Sequence, residues 1–261
     1  MARKHLNHKF NFQFDSNTLS TPMKRRNFIQ MSALGAGTSI FAGSSVFAGN
    51  NSNITSMDKL KNFDAEATPI SLEERKARVA KAQTLMEKNA ISAIVLDSGT
   101  SMNYFTGMTW GQSERPMVAV IPAKGEVSFI CPKFEEDRLE EMLQVGNKLG
   151  DKIYPWEEDE SPYAQIIQAV RDSGASSGKI GMEERVRFFI ADGVRRASSS
   201  FDVVSADPVT IPCRIIKSPA EIALMQIATQ ATIDAMKLGF AALKEGEGPN
   251  LFSSAVAQAH Q

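Results

Sequence analysis

The sequence predicts an α/β protein whose main domain is a layered, mixed sheet, preceded by an export-type leader and followed by two amphipathic helices that open a second unit. Three observations predict it. Between residues 71 and 204, short apolar runs alternate with amphipathic stretches of helical length, the signature of a strand–helix layer architecture. Two of the runs, 117–121 and 127–131, flank Lys124-Gly125 and read as a hairpin, so the sheet has an antiparallel component. From Ser218 onward the apolar residues recur at alternating spacings of four and three, which only a long helix places on one face.

Each element follows from local chemistry. Ser71 with Glu74 three residues on is a capping box, so a helix runs from there to about Lys88, with Leu72, Val79, Ala82, Leu85 and Met86 as its stripe. Residues 92–96 form an apolar run read as a buried strand, and the 117–131 hairpin follows. Phe134 to Leu143 reads as a charged amphipathic helix, Lys152 to Trp156 as a strand, and Pro162 to Asp172 as a helix. Lys179 to Met182 is the next strand, Phe188 to Ser198 the next helix, and Phe201 to Val204 closes the series. Ser218-Pro219-Ala220-Glu221 is a second capping box with proline at the first helical position. The helix it starts carries Leu224, Ala228, Ala231, Ala235, Leu238 and Ala242 on one face and stops before Gly246 and Gly248-Pro249. Asn250 is expected to cap a last helix with Leu251, Phe252, Ala255, Val256 and Ala259 as its stripe. Two such helices cannot bury their apolar faces on each other alone.

Composition narrows the chemistry. The 261 residues are 43% hydrophobic and 23% charged, with 29 basic and 30 acidic side chains, an ordinary globular balance. A net charge of −1 gives no footprint for nucleic acid. Cys131 and Cys213 are the only cysteines, too few for a disulfide scaffold or a four-cysteine zinc site. The three histidines, His5, His8 and His260, all lie near a terminus, which excludes a Ser-His-Asp or Cys-His centre in the body of the chain.

The first residues read as an address. Lys24-Arg25-Arg26-Asn27-Phe28-Ile29 resembles a bacterial twin-arginine motif. An uncharged Ala-, Gly- and Ser-rich stretch, 31–48, follows and ends in Val46-Phe47-Ala48, a small-residue cleavage pattern. The expected destination is the periplasm. An uncleaved anchor is the competing reading, and the glycine and serine content makes the stretch a poor spanning helix, so no stable membrane span is expected after removal of the signal.

Three segments carry a family resemblance. One is Asp97-Ser98-Gly99-Thr100-Ser101-Met102-Asn103-Tyr104-Phe105-Thr106-Gly107, with Trp110 and Ser113-Glu114-Arg115-Pro116 after it. Another is Cys131-Pro132-Lys133-Phe134-Glu135 with Arg138, and the third is Arg214-Ile215-Ile216-Lys217-Ser218-Pro219-Ala220-Glu221-Ile222 with Ala228. In this order they resemble the creatinase/prolidase family, which holds Xaa-Pro dipeptidases, aminopeptidases P and creatinase. With the leader read above as signal 1–48 and linker 49–70, the resemblance implies an N-terminal domain, 71–212, and 213–261 as the start of a truncated catalytic domain of the pita-bread α+β type. It implies an Xaa-Pro metallopeptidase acting on proline-containing peptides, which the leader would export, and a homodimer at full length. It also implies two divalent metal ions (Mn, Co or Zn) held by two aspartates, a histidine and two glutamates, activating a shared hydroxide. Asp234 and His260 match no ligand motif of that set, so no metal ligand and no catalytic residue is assigned here, and the chain by itself is expected to be inactive. What transfers is a loop, Tyr104 to Arg115, that in family dimers reaches the partner's active site. Arg115 would grip a substrate carboxylate, Trp110 would wall a proline ring, and Tyr104 would line the same place. Against this stand ordinary surface pairing for Arg115 and Glu114 and simple loop packing for Trp110. The competing readings of the whole are a non-catalytic binding module of the same fold and a creatinase-like amidinohydrolase fragment.

Overall fold

The structure, a computed structural model, describes residues 62–150, 152–246 and 248–260, which all belong to one compact unit spanning Lys61–Gln261. The expected signal, 1–48, and most of the expected linker, 49–70, lie outside the described residues. The elements in chain order are α1 (Leu72–Asn89), β1 (Ala93–Asp97), α2 (Thr100–Thr106), β2 (Val118–Pro122) and β3 (Ser128–Pro132). A 3-10 turn (Lys133–Glu135) leads to α3 (Glu136–Gln144), β4 (Lys152–Trp156), α4 (Pro162–Asp172), β5 (Gly178–Met182), α5 (Phe188–Ala197) and β6 (Phe201–Ser205). Three helices close the chain: α6 (Asp207–Arg214), α7 (Pro219–Ala242) and α8 (Pro249–Ala259).

The six strands form one sheet in the order β4-β3-β2-β1-β5-β6. β2 is antiparallel to both its neighbours, and the β3–β4, β1–β5 and β5–β6 pairs are parallel. The sheet is therefore mixed, with the hairpin as its antiparallel part. The Lys124-Gly125 turn is held to α1 by the Gln83 amide, which donates to the carbonyls of Pro122 (3.1 Å) and Gly125 (2.8 Å).

Both faces of the sheet are covered. Every residue of β1, β2 and β3 is buried, which is why these strands read as continuous apolar runs rather than alternating ones. Alternation survives in direction. Ile94, Leu96, Ala119, Ile121 and Phe129 meet α1, α2, α3 and α6 on one side, in a core with Met86, Phe105, Leu139 and Val209. Ala93, Val95, Val118, Val120 and Ile130 meet α4 and α5 on the other, with Ile166, Val170, Ile190 and Val194. Each buried Val, Leu, Ile, Met or Phe among them contributes about 1.5–3 kcal/mol by leaving water.

The structure departs from expectation at the first capping box, in two short helices and at the cap of the last helix. Ser71 Oγ accepts the Glu74 N–H at 3.1 Å, but the Glu74 carboxylate turns to Arg78 and Ser218, so the first capping box is half made. The short helices α2 and α6 were not expected. α2 lies between two glycines, and its end needs Gly107. The backbone there has φ of +77°, and a Cβ would stand 2.8 Å from the Asn147 carbonyl oxygen. α6 carries Pro208 at its start and Pro212 inside, residues that read as breakers, yet it buries Val209, Thr210 and Cys213 against α1. Finally, α7 ends at Ala242, before the glycines, and Gly248 rather than Asn250 is the cap of α8. The second capping box, at Ser218 and Glu221, is complete.

Cys131 and Cys213 are both buried and unbridged. Burial pushes the Cys131 thiol up to about 12 and raises that of Cys213 as well. At pH 8 the folded protein is expected to leave an aromatic disulfide reagent unreacted, with both thiols titrating once denaturant is added. A fast-reacting thiol in the native protein would contradict this packing.

Candidate functional site

The polar residues of this unit gather outside the carboxyl ends of β1 and β5, where the strand order reverses and open α/β sheets place their ligand sites. Asp97 ends β1 with its side chain 1% exposed. Arg187, at the N-cap of α5, clasps it with two hydrogen bonds, Nε to Oδ2 at 2.7 Å and Nη2 to Oδ1 at 3.1 Å. This fork geometry satisfies a carboxylate that burial would otherwise penalise. Beside it, the buried Glu183 carboxylate follows β5 and accepts from the Ser101 hydroxyl and, at 3.0 Å, from the Arg185 N–H. Arg214 Nη1 donates to Ser101 Oγ at 2.9 Å and stands 4.0 Å from Glu183.

A second network joins the sheet unit to α7. The Arg78 guanidinium is buried in the middle of it. It bonds Glu74 at 2.7 Å, reaches Glu221 at 3.4 Å, donates to the Tyr104 carbonyl at 2.8 Å and lies 4.1 Å from the Tyr104 ring centroid. The Ser218 hydroxyl, at the cap of α7, donates to Glu74 at 2.7 Å. Burial pushes the Glu74 carboxyl up, but the hydrogen bonds from Ser218 and Arg78 and the positive charge beside it more than offset this and hold it below its ordinary value.

The three residues expected at the substrate loop do not share one place. Tyr104 lies on α2, not in the loop. Its ring sits by Arg78, its hydroxyl donates to the Cys213 carbonyl at 2.7 Å, and burial pushes its phenol up to about 12. Aromatic bulk with one polar tip suits this anchoring of α6 to α2.

Trp110 and Arg115 both lie on the segment 107–117 that follows α2, each against a residue of the stretch 134–138. Arg138 of α3 stacks 4.5 Å above the Trp110 ring, and Arg115 lies 5.5 Å from the ring of Phe134, which is 65% exposed. Arg115 Nε bonds Glu158 at 2.6 Å and its Nη1 bonds Glu114. The hydrogen bond to Glu158 raises its pKa further. The ordinary reading, surface pairing, therefore describes Arg115 in this state, and an incoming carboxylate would have to displace Glu158 or Glu114.

The loop itself is held in place. Asn103 reaches Thr109 Oγ1 at 2.9 Å, Gln112 donates to the Ser98 carbonyl at 3.0 Å, Arg187 donates to the Ser113 carbonyl, and the Trp156 indole donates to the Pro116 carbonyl at 3.2 Å. Four side chains from α2, the loop, α5 and β4 thus fix a segment with no secondary structure of its own. Sequence reasoning singled out the loop, met Asp97 only as the first residue of a family segment, and missed Glu183 and Arg187. The available signal was a charged residue at the end of each of two apolar strand runs.

Among the described residues, no group of three or more His, Cys, Asp or Glu side chains is placed to hold a metal ion, and no helix is long and apolar enough to cross a membrane. Asp234 on α7 is bonded by Gln230 and Lys237, and His260 is the C-cap of α8. The implied dinuclear centre does not fit the residues described, and no chemical step is derived through it.

Comparison with known proteins places this arrangement. A family model described as the creatinase/prolidase N-terminal domain matches residues 78–216. An uncharacterized peptidase of Schizosaccharomyces pombe is 32% identical over 193 residues, covering 69% of this chain and 41% of that protein. A prolidase from Thermococcus sibiricus superposes with a TM-score of 0.60 at 19% identity, over 71% of this chain and 49% of that one. A dipeptidase from Pyrococcus horikoshii superposes with a TM-score of 0.58 at 20% identity, over 70% and 49%. The chain spans less than half the length of these relatives.

Proposed function

The chain belongs to the creatinase/prolidase N-terminal domain family, and from that premise we propose that it is the N-terminal part of an exported Xaa-Pro metallopeptidase of the dipeptidase or aminopeptidase P type. The observation that carries the reading is the family match over 78–216 on a fold shared with a prolidase and a dipeptidase. In this reading the chain supplies no catalytic group. Its part is to present the fixed loop 107–117, with Trp110 and Arg115 at its surface, to a proline-containing peptide bound in the partner subunit of a homodimer. Trp110 offers an apolar wall, and Arg115 exchanges Glu158 or Glu114 for the substrate carboxylate. Two divalent ions, Mn, Co or Zn, belong to the catalytic domain of the full-length protein. The signal of residues 1–48 directs the product to the periplasm, and residues 213–261 open that catalytic domain.

The test is made on the native product purified from the exported fraction of the source organism. Its intact mass is measured, and cleavage of Xaa-Pro dipeptides is assayed with Mn, Co or Zn. The expected result is a mature mass above 28.5 kDa with metal-dependent cleavage. Arg115→Ala in that protein is expected to raise KM about tenfold, the scale of one lost charge-assisted hydrogen bond, with the melting temperature unchanged. A product that binds no metal and cleaves no Xaa-Pro bond overturns the proposal in favour of a binding module. Cleavage of creatine instead moves the reading to the amidinohydrolase branch.

A further inference from the structure

The crevice at the carboxyl ends of β1 and β5 holds a cleft of about 420 Å³ that the Trp110–Arg115 loop does not line. Its walls carry four charged groups, Arg214, Lys217, Glu184 and Glu221. Two of them are committed elsewhere. Lys217 Nζ donates to the Arg214 and Ile215 carbonyls at 2.9 and 3.4 Å. Glu221 accepts the Ser218 N–H at 2.8 Å and faces Arg78. The other two form an incomplete pair. Arg214 Nη1 and Glu184 Oε1 stand 4.0 Å apart, beyond hydrogen-bond distance, and the Glu184 side chain is half exposed. Arg214 is not free to swing to Glu184, because Ser101, itself buried, holds the same Nη1 at 2.9 Å with the buried Glu183 carboxylate behind it. The Arg214 side chain is 32% exposed and lines the cleft. Tyr104, Ile211 and Ile215 give the cleft an apolar wall, and Thr100 and Thr210 complete its lining.

We propose that this cleft binds a free α-amino acid with an apolar side chain, its carboxylate on Arg214, its ammonium on Glu184, and its side chain against Tyr104, Ile211 and Ile215. A cation held by Ser101 and an anion a few ångströms away match the two charges of a zwitterion, each of which would be worse served alone. A phosphate would meet Glu184 and Glu183, and a simple cation would meet Arg214. The proposal stands apart from the peptidase reading, for it needs no metal, no partner subunit and no bond cleavage.

The experiment is titration calorimetry on the purified 261-residue chain with L-leucine, N-acetyl-L-leucine, L-leucinamide and the dipeptides Leu-Gly and Gly-Leu. Saturable leucine binding is expected, weakened at least about tenfold by blocking either end of the ligand. Glu184→Gln, at a half-exposed position, is expected to melt like the parent, lose leucine affinity about tenfold, and no longer distinguish leucine from its N-acetyl form. Arg214→Lys keeps the charge but not the fork and is expected to weaken leucine and leave leucinamide nearly unchanged. No heat of binding up to the solubility limit, or leucine affinity indifferent to Glu184→Gln, overturns the proposal. A dipeptide that binds more tightly than leucine overturns the free amino acid in favour of a peptide end. None of these outcomes bears on metal-dependent cleavage, so the two readings fail separately.

Discussion

Arg78→Met is expected to lower the unfolding free energy by about 3 kcal/mol, the lower end of what breaking a buried ion pair costs. The lower end applies because the partners are only partly buried: the Glu74 and Glu221 side chains are 21% and 19% exposed, against 8% for Arg78. For a folded unit of this size that is a fall in melting temperature of roughly 6–12 °C. The loss is not spread evenly. Arg78 bridges α1, the Tyr104 carbonyl of α2 and the start of α7, so the contact released first is the docking of α7 on the sheet unit. Hydrogen exchange should rise at the amides of α7 before those of β1. The double variant Arg78→Met with Glu221→Gln is expected to be less destabilised than the sum of the single ones, because the second change removes a carboxylate that the first has stranded. A loss below 1 kcal/mol for Arg78→Met, or exchange rising first in the sheet, would remove this residue from its place as the joint. The pH dependence has a definite sign. Glu74 has a lowered pKa in the folded state, so its contribution is present above the ordinary value of 4.5 and is lost as pH falls through the folded-state value. Acid should therefore loosen α7, and Arg78→Met should flatten that dependence.

The sheet was legible because its signals are local. β4 and α4 begin and end where the sequence placed them, Lys152–Trp156 and Pro162–Asp172, since a proline start and a bounded apolar run are read without knowledge of the rest of the fold. α6 was not legible. Pro208 and Pro212 argue against a helix, and what outweighs them is burial of Val209 and Cys213 against α1, more than a hundred residues away in sequence. The same distance explains the half-made capping box. Glu74 sits at the right spacing to close it, yet Ser218 and Arg78 offer the carboxylate better partners. The family resemblance groups Tyr104 with Trp110 and Arg115 in one loop. The helix α2 ends between them and turns the chain, so the ring goes to Arg78 and the loop goes to α3 and Phe134.

Arg187→Ala is expected to cost about 3–5 kcal/mol, the largest loss at any single polar residue discussed, while Asp97→Asn costs about 1.5–2 kcal/mol, the scale of a lost charge-assisted bond. The inequality follows from exposure. Asp97 is 1% exposed at the side chain and Arg187 24%. Without Arg187 the carboxylate has no route to water and keeps only the Ser98 N–H at 2.8 Å and the Arg187 N–H at 3.5 Å. Without the Asp97 charge, the guanidinium keeps its bond to the Ser113 carbonyl and is hydrated through its exposed edge, and asparagine fills the same volume. Urea unfolding of both variants measures the difference directly. Equal losses would mean that the pair acts as a unit and that exposure does not set the balance. Arg187 also donates to the Ser113 carbonyl, so its removal unfastens the middle of the 107–117 loop, whereas Asp97→Asn leaves that bond in place. Limited proteolysis should then cut Arg187→Ala within the loop while the sheet is still folded, and should spare Asp97→Asn. The buried carboxylate at the end of β1 and the loop that carries Trp110 and Arg115 are thus held by one arginine. The stability of the strand end and the placing of this loop are not independent properties of this chain.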